Sequence, residues 1–367
     1  MRNEEPTFSA LGVSDDLVAV LDDAGIPSPF PVQRLCIPDA LAGRDVCGKA
    51  KTGSGKTLAF GLPLIERVGP AESKRPSGMV LVPTRELAVQ VSKVLRPLAK
   101  ARNLRLATVY GGAPMAKQVN DLRGGAEIVV ATPGRLIDLV DRRSVELTNL
   151  GIVVIDEADR MADMGFLPAV RRILAQTSGD RQTILASATL DKASDALAKA
   201  HMRQPVRHSV VADDQDLGRT THLFWNVTND DRTDVCADVI KRSGRTIVFS
   251  RTKHGADRIA KRLERLGVTA TAVHGGRSQA QRDRSLAAFH QGTAQALIAT
   301  DVAARGIHVD GVACVVHFDL PPAAADYQHR SGRTARAGAS GTVVALVTPD
   351  QRKLARELQR EHDLDLG

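Results

Sequence analysis

Short apolar runs recur along this chain, separated by longer segments whose apolar residues fall at three- and four-residue spacings. The short runs read as buried strands and the longer segments as helices packed over them. In the first half the strands fall at residues 41–48, 79–82, 105–109, 128–130, 152–155 and 183–186. The alternation pauses at 211–218, a polar acidic stretch read as a linker. It resumes with strands at 221–227, 246–249, 269–273, 296–299, 313–318 and 341–347. Regular alternation of strand and helix predicts an α/β fold of mostly parallel sheets with helices on both faces. The expected organisation is a first domain over residues 1–210 and a similar second domain over 219–367.

A length of 367 residues allows two full cores, and 43% hydrophobic content is ordinary for a globular protein. The formal charge of +8 permits polyanionic partners. Aromatic residues are only 3% of the chain, which argues against stacking platforms as the main way of holding nucleic acid. Cys36, Cys47, Cys236 and Cys314 are scattered without a Cys-x-x-Cys pair, so neither a zinc site nor a disulfide framework is expected. The start of the chain lacks a basic-then-apolar leader, and no apolar run has the length of a bilayer span. A cytoplasmic setting is expected.

Gly53-Ser54-Gly55-Lys56-Thr57 is where the chemistry begins. It follows a strand-like run and opens a helix-like one, the context of a phosphate-binding loop. Glycines let backbone N–H groups close on phosphate oxygens, Lys56 adds a point charge, and the Thr57 hydroxyl can ligate Mg²⁺. Asp156-Glu157-Ala158-Asp159 follows the apolar run ending at Ile155, so its carboxylates stand at the carboxyl end of a strand, where open α/β sheets bind ligands. The two runs together predict hydrolysis of a nucleoside triphosphate.

Further short motifs in order along the chain resemble the DEAD-box family of ATP-dependent RNA helicases, in a minimal two-domain form. Ala50-Lys51-Thr52-Gly53-Ser54-Gly55-Lys56-Thr57 is similar to its phosphate loop, and Asp156-Glu157-Ala158-Asp159 is the motif that names it. Pro83-Thr84-Arg85-Glu86-Leu87-Ala88, Gly111-Gly112 and Thr132-Pro133-Gly134-Arg135 resemble its RNA-backbone motifs. Ser187-Ala188-Thr189 resembles its coupling motif. In the second half Thr300-Asp301-Val302-Ala303-Ala304-Arg305-Gly306 and His329-Arg330-Ser331-Gly332-Arg333-Thr334-Ala335-Arg336 are similar to its two late motifs. The resemblance implies two tandem RecA-like domains, ATP and Mg²⁺ as cofactors, and RNA as the partner.

It also implies residue roles. Lys56 binds the terminal phosphates, Thr57 and Asp156 hold Mg²⁺, and Glu157 orients and deprotonates the attacking water. Arg333 and Arg336 are the expected arginine fingers, reaching the γ-phosphate when the domains close. Thr52, Gly53, Ser54, Gly55 and Gly306 belong with the nucleotide. Asp159, Ser187, Thr189 and His329 are the expected coupling group. Gly25-Ile26-Pro27-Ser28-Pro29-Phe30-Pro31-Val32-Gln33 resembles the Q motif, with Gln33 meeting the adenine edge and the upstream Phe8 offering a ring for the base. RNA is expected to be held through phosphate and sugar by Thr84, Arg85, Gly112, Thr132 and Arg135, and by Arg251, Gly275, Arg282 and Thr300.

Three positions depart from the family pattern. Phe30 replaces a polar residue, so packing is expected where others form a hydrogen bond. Lys51 stands where many members have Gln. His308 replaces an acidic residue that contacts the ribose, with Asp310 two residues on, and looser ATP binding in the closed state is the expectation. Local unwinding of RNA is the leading reading. An RNA clamp or ribonucleoprotein assembly factor, and a DNA-directed helicase, are the competitors. The end at Gly367 leaves no C-terminal extension in this chain to select RNA, so specificity is expected from partners, with ribosome-assembly or RNA-decay proteins as the settings considered.

Overall fold

The computed structural model describes residues 6–50, 53–189, 192–210, 220–304, 311–335, 340–362 and 364. The chain divides into two compact units, residues 1–211 and 212–367. The linker expected at 211–218 lies outside the described residues, as do Lys51, Thr52, Gly306, His308, Asp310 and Arg336.

The first unit is built on a seven-stranded sheet. Its strands are β1 (Val46–Lys49), β2 (Gly78–Leu81), β3 (Leu106–Val109), β4 (Ile128–Ala131), β5 (Ile152–Asp156), β6 (Gln182–Ser187) and β7 (Val206–Ser209). They lie in the order β3-β4-β2-β5-β6-β1-β7, and every pairing is parallel. Successive residues of one strand enter opposite cores. Ile152 and Val154 pack on one face while Val153 and Ile155 pack on the other, and Val80 is likewise separated from Met79 and Leu81. That two-residue alternation, with both faces apolar, forces helices onto both sides of the sheet.

The second unit repeats the scheme with β8 (Thr220–Asn226), β9 (Thr246–Phe249), β10 (Ala270–Val273), β11 (Ala296–Ala299), β12 (Cys314–His317) and β13 (Gly341–Val347). Their order, β10-β11-β9-β12-β13-β8, is again parallel throughout. Replacing β2, β3, β4, β5, β6 and β1 by β9, β10, β11, β12, β13 and β8 turns one order into the other. β7 has no counterpart, and sequence patterning did not anticipate it. Its residues Val206, Arg207, His208 and Ser209 alternate between half-buried and exposed, so the apolar signal of a central strand is absent. Only pairing with β1 makes it a strand.

Both sheets thus place the turns that follow their strands along one carboxyl edge, where helices of the next crossover also begin. The four cysteines are buried free thiols, consistent with the absence of a disulfide framework. Among the described residues, no helix is long and apolar enough to cross a membrane.

Candidate functional site

In the first unit the sequence motifs sort by strand. The phosphate loop follows β1, Asp156 and Glu157 end β5, and Ser187 to Thr189 end β6; these three strands are neighbours. Thr84 follows β2, Gly112 follows β3 and Thr132 follows β4, the adjoining three strands. One sheet edge therefore carries the residues expected for nucleotide on one side and those expected for RNA on the other, meeting where β5 pairs with β2.

The phosphate loop is braced from beside it. Gly55 caps the Lys56–Arg67 helix in the left-handed region, φ 85°, where a side chain is strained. A Cβ there would come within 2.5 Å of Gln33 Nε2 and 2.6 Å of Phe30 Cδ2. Gln33 is fully buried at the start of the Pro31–Leu41 helix. Its Nε2 donates to the Gly55 carbonyl oxygen at 2.9 Å, and its Oε1 accepts from the Phe30 N–H at 2.8 Å. One site at each end of the amide is thus spent on the loop and the helix start. Phe30 packs by that loop with half of its surface exposed. The expected base platform behaves differently: Phe8 is 1% exposed and belongs to the hydrophobic core. Its ring offers no open face to a base in this structure, because burial among Val13, Leu17 and their neighbours stabilises it more than exposure would.

Lys56 opens its helix and donates to the Ala50 carbonyl oxygen. Burial lowers its pKa, opposed by the charges of Asp156, Glu157 and Asp159. Asp156 is buried at the strand end, and burial together with the neighbouring Glu157 charge pushes its pKa up to about 7. Asp156 and Glu157 are adjacent carboxylates whose charges repel, and their oxygens are of the kind that suits a hard divalent cation.

Glu157 adopts φ 53° and ψ 52°, an uncommon conformation for a residue with a side chain. Its N–H donates to Asp156 Oδ1 at 3.0 Å, and its carboxylate forms an ion pair with Arg160, itself buried. Arg160 was not singled out from the sequence. Its signal was available, since three residues along a helix put it on the same face as Glu157.

Asp159 ties β5 to β6. Its Oδ2 accepts from Ala188 N at 3.1 Å, Thr189 N at 2.8 Å and Thr189 Oγ1 at 3.0 Å. The Asp159 N–H in turn donates to Ser187 Oγ at 3.3 Å. Three of the four expected coupling residues therefore meet in one hydrogen-bonded cluster. The fourth, His329, lies in the other unit on the Ala324–Ser331 helix.

Among the residues expected for RNA, Thr84 caps the Arg85–Ala101 helix, its Oγ1 accepting from Leu87 N at 3.2 Å. Thr132 precedes the Pro133–Asp141 helix. Both helix N-termini open at the sheet edge, with the positive ends of their dipoles suited to phosphate. Gly112, at φ 84°, lies so close to Arg85 that an added Cβ would fall 2.7 Å from its guanidinium. Arg135 is held by the Ala113 carbonyl oxygen at 3.2 Å and Gln118 Oε1 at 3.1 Å. The buried Gln118, which sequence reasoning passed over, donates its amide to the Tyr110 carbonyl oxygen.

The second unit has the corresponding edge. Arg251 follows β9, Gly275 follows β10 and Thr300 follows β11, three adjacent strands. Arg282 sits buried on the Gln279–His290 helix. Asp301, beside Thr300, takes a two-pronged ion pair from Arg330 at 2.6 and 2.7 Å. Arg330 also donates to the Asp319 carbonyl oxygen at 2.6 Å and lies over the Phe249 ring. It pins the late-motif helix to the sheet, and Arg333 is buried in the turn that follows.

Comparisons with known proteins point the same way. A family model described as DEAD/DEAH box helicase matches residues 30–197, and one described as helicase conserved C-terminal domain matches residues 231–338. The chain is 39% identical to DEAD-box ATP-dependent RNA helicase 30 of Arabidopsis thaliana, over 96% of this chain and 61% of that protein. It is 36% identical to DEAD-box ATP-dependent RNA helicase CshA of Bacillus subtilis, over 96% of this chain and 72% of that one. Pre-mRNA-processing ATP-dependent RNA helicase prp5 of Aspergillus terreus is 40% identical, but the chain spans only 31% of its length. Among solved structures, S. cerevisiae Dbp5 bound to RNA and ADP BeF3 is 27% identical with a TM-score of 0.84, covering 97% of this chain and 93% of that one. A DEAD box protein from Methanococcus jannaschii is 34% identical, with a TM-score of 0.57 and 98% of each chain covered.

Proposed function

This chain belongs to the DEAD-box family of helicases, and from that premise we propose that it is an RNA-stimulated ATPase that remodels RNA locally. ATP and Mg²⁺ are its cofactors in this reading, and RNA is held by its backbone without regard to sequence. The observation that carries it is the sorting along one sheet edge: phosphate loop, carboxylates and coupling residues at β1, β5 and β6, RNA residues at β2, β3 and β4. Occupancy of one half is thereby felt by the other through adjacent strands of one rigid sheet.

Phosphoryl transfer to water needs positioning and charge stabilisation more than covalent help. Lys56 and the loop N–H groups hold phosphate. Thr57 and Asp156 are the residues that would hold Mg²⁺, which when bound neutralises charge building on the phosphate oxygens. Glu157 takes a proton from the water and is oriented by Arg160. Asp159 keeps the β5 and β6 turns in register, so a shift at the carboxylates moves Ser187 and Thr189 with it. Arg333 and Arg336 complete the charge when the second unit closes on the first, an effect worth about 10³–10⁵ in rate for residues of this kind. Closure then favours ATP and RNA together, and each strengthens binding of the other.

ATPase rate without nucleic acid, with single-stranded RNA and with matched DNA tests the proposal, with Glu157→Gln alongside. Stimulation by RNA alone, lost in the variant, is expected. Equal stimulation by DNA overturns the substrate, and ATPase retained by the variant overturns the base.

A further inference from the structure

The Lys253–Arg265 helix of the second unit carries an unusual row of charge. His254, Arg258, Lys261 and Arg265 are spaced by four, three and four residues, so all four fall on one stripe. All four are exposed, and among the described residues none of them makes a hydrogen bond or an ion pair. Two nearby acidic groups are engaged elsewhere. Asp257 is taken by Arg277 at 2.6 Å and by His274 at 3.0 Å. Asp234, on the adjacent Arg232–Ser243 helix, is taken by Arg262 at 2.7 Å. Glu264 stands three residues from Lys261 and toward the side of the stripe, so it can offset at most part of the row's charge. Like charges three and four residues apart repel, so the row costs helix stability unless something anionic covers it.

Its position says what that is. The helix starts at the sheet edge, where the Lys253 side chain lies 3.5 Å from the place a Gly275 Cβ would occupy. From there the stripe runs away over the domain surface for about 16 Å, close to five phosphates of a stacked strand at roughly 3.4 Å each. The side chains bound a shallow furrow of about 360 Å³ lined by His254, Asp257, Arg258, Lys261, Arg262 and Arg265. It contains no aromatic or aliphatic anchor, so it suits a phosphate backbone better than a folded protein surface.

We propose that this stripe is a second phosphate-binding track, which takes the RNA backbone where it continues beyond the edge formed by Arg251, Gly275 and Thr300. The proposal rests on the reading of that edge as an RNA site. RNA long enough to cover both gains contacts that RNA confined to the edge lacks, and only the former depends on Arg258, Lys261 and Arg265.

The experiment compares two labelled single-stranded RNAs, about 6 and about 20 nucleotides long, by fluorescence anisotropy with a nonhydrolysable ATP analogue and Mg²⁺. Proteins are the full chain, R258Q/K261Q/R265Q, and the charge-preserving R258K/K261R/R265K. The parent and the charge-preserving variant should bind the longer RNA about 10-fold more tightly than the shorter, and the glutamine variant should lose that advantage. Its salt dependence for the longer RNA should shrink by about 2 in log–log slope, three cations at about 0.7 each. The short RNA should bind all three alike. Unchanged affinity of the glutamine variant for the longer RNA, or equal loss for both lengths, overturns the track. Failure of the parent to bind even the short RNA overturns the edge reading and the track with it. Polyglutamate binding that the glutamine variant loses, with RNA binding intact, assigns the stripe to an acidic protein and overturns the proposal.

Discussion

The Gln33 side chain holds the Gly55 carbonyl oxygen at 2.9 Å, fastening the phosphate loop to a helix 22 residues earlier in the chain. The same amide accepts from the Phe30 N–H, so the loop and the helix start move as one piece. Gln33→Ala leaves the Phe30 N–H without this partner, a penalty of about 1–3 kcal/mol if it stays buried, and unties the Gly55 oxygen, which keeps the Leu58 and Ala59 N–H groups. ATP KM should rise about 10-fold or more, with a smaller fall in kcat. Gln33→Glu is the sharper test: it keeps an acceptor for Phe30 but turns a carboxylate oxygen toward the Gly55 oxygen. Steady-state kinetics should find it at least as impaired as the alanine variant.

The Arg160–Glu157 ion pair predicts a split between binding and turnover. Removing a buried guanidinium frees the carboxylate to rotate without touching the loop that binds phosphate. Arg160→Gln should lower kcat about 10-fold with ATP KM little changed, and Arg160→Lys should recover part of it. A rise in KM with kcat intact would mean that Arg160 serves the loop instead.

Asp159 offers a test of coupling. Thr189→Ala removes the 3.0 Å hydroxyl bond but leaves both backbone bonds to the same oxygen. ATPase without RNA should fall less than about 3-fold, while RNA stimulation should fall several-fold further, since a bond to a charged group is worth about 1.5–3 kcal/mol. Thr189→Ser should restore stimulation. Stopped-flow ATPase at varied RNA concentration reads both quantities.

The second unit should lose stability in acid. His317 is fully buried, stacked on Tyr327 at 4.5 Å, with His222 and Arg330 nearby. Burial, then the Arg330 and His222 charges, hold its pKa well below the usual histidine value. A neutral folded histidine that protonates on unfolding stabilises fully above the unfolded pKa of about 6.5. That stability is lost as pH falls through about 6.5 toward the depressed folded value, at up to about 1.4 kcal/mol per pH unit. Trp225 is the single tryptophan and lies in β8, so its fluorescence reports this unit. Urea midpoints followed by Trp225 should fall from pH 7.5 to 5.5, and His317→Phe should flatten the decline. An equal decline in the variant would put the proton elsewhere, His222 first, because burial lowers its pKa as well.

The stretches of sequence that were legible are those whose signal is local. Most strands were readable because burial on both faces leaves continuous apolar runs, whereas edge strand β8 is only half-buried and edge strand β7 carried no such signal. The runs at Gly53–Thr57 and Asp156–Asp159 stand out in the sequence because the chemistry proposed for them demands particular residues at adjacent positions. Phe8 misled for the opposite reason. An aromatic residue at a familiar distance from a motif can face a ligand or a core, and its sequence neighbours do not say which.

By itself the sequence determined the strands other than β7 and the division into two units, and it marked out the candidate reactive groups, since backbone periodicity and motif spacing are encoded within short stretches. Only the tertiary structure decided which strands are neighbours, and so which motifs share an edge. It also decided that Gln33 serves the loop, that Arg160 faces Glu157, and that Asp234 and Asp257, near Arg258, Lys261 and Arg265, are already taken. Those outcomes depend on contacts between residues far apart in the chain. They are set by competition among many side chains for the same core and the same charges, which no local window of sequence contains.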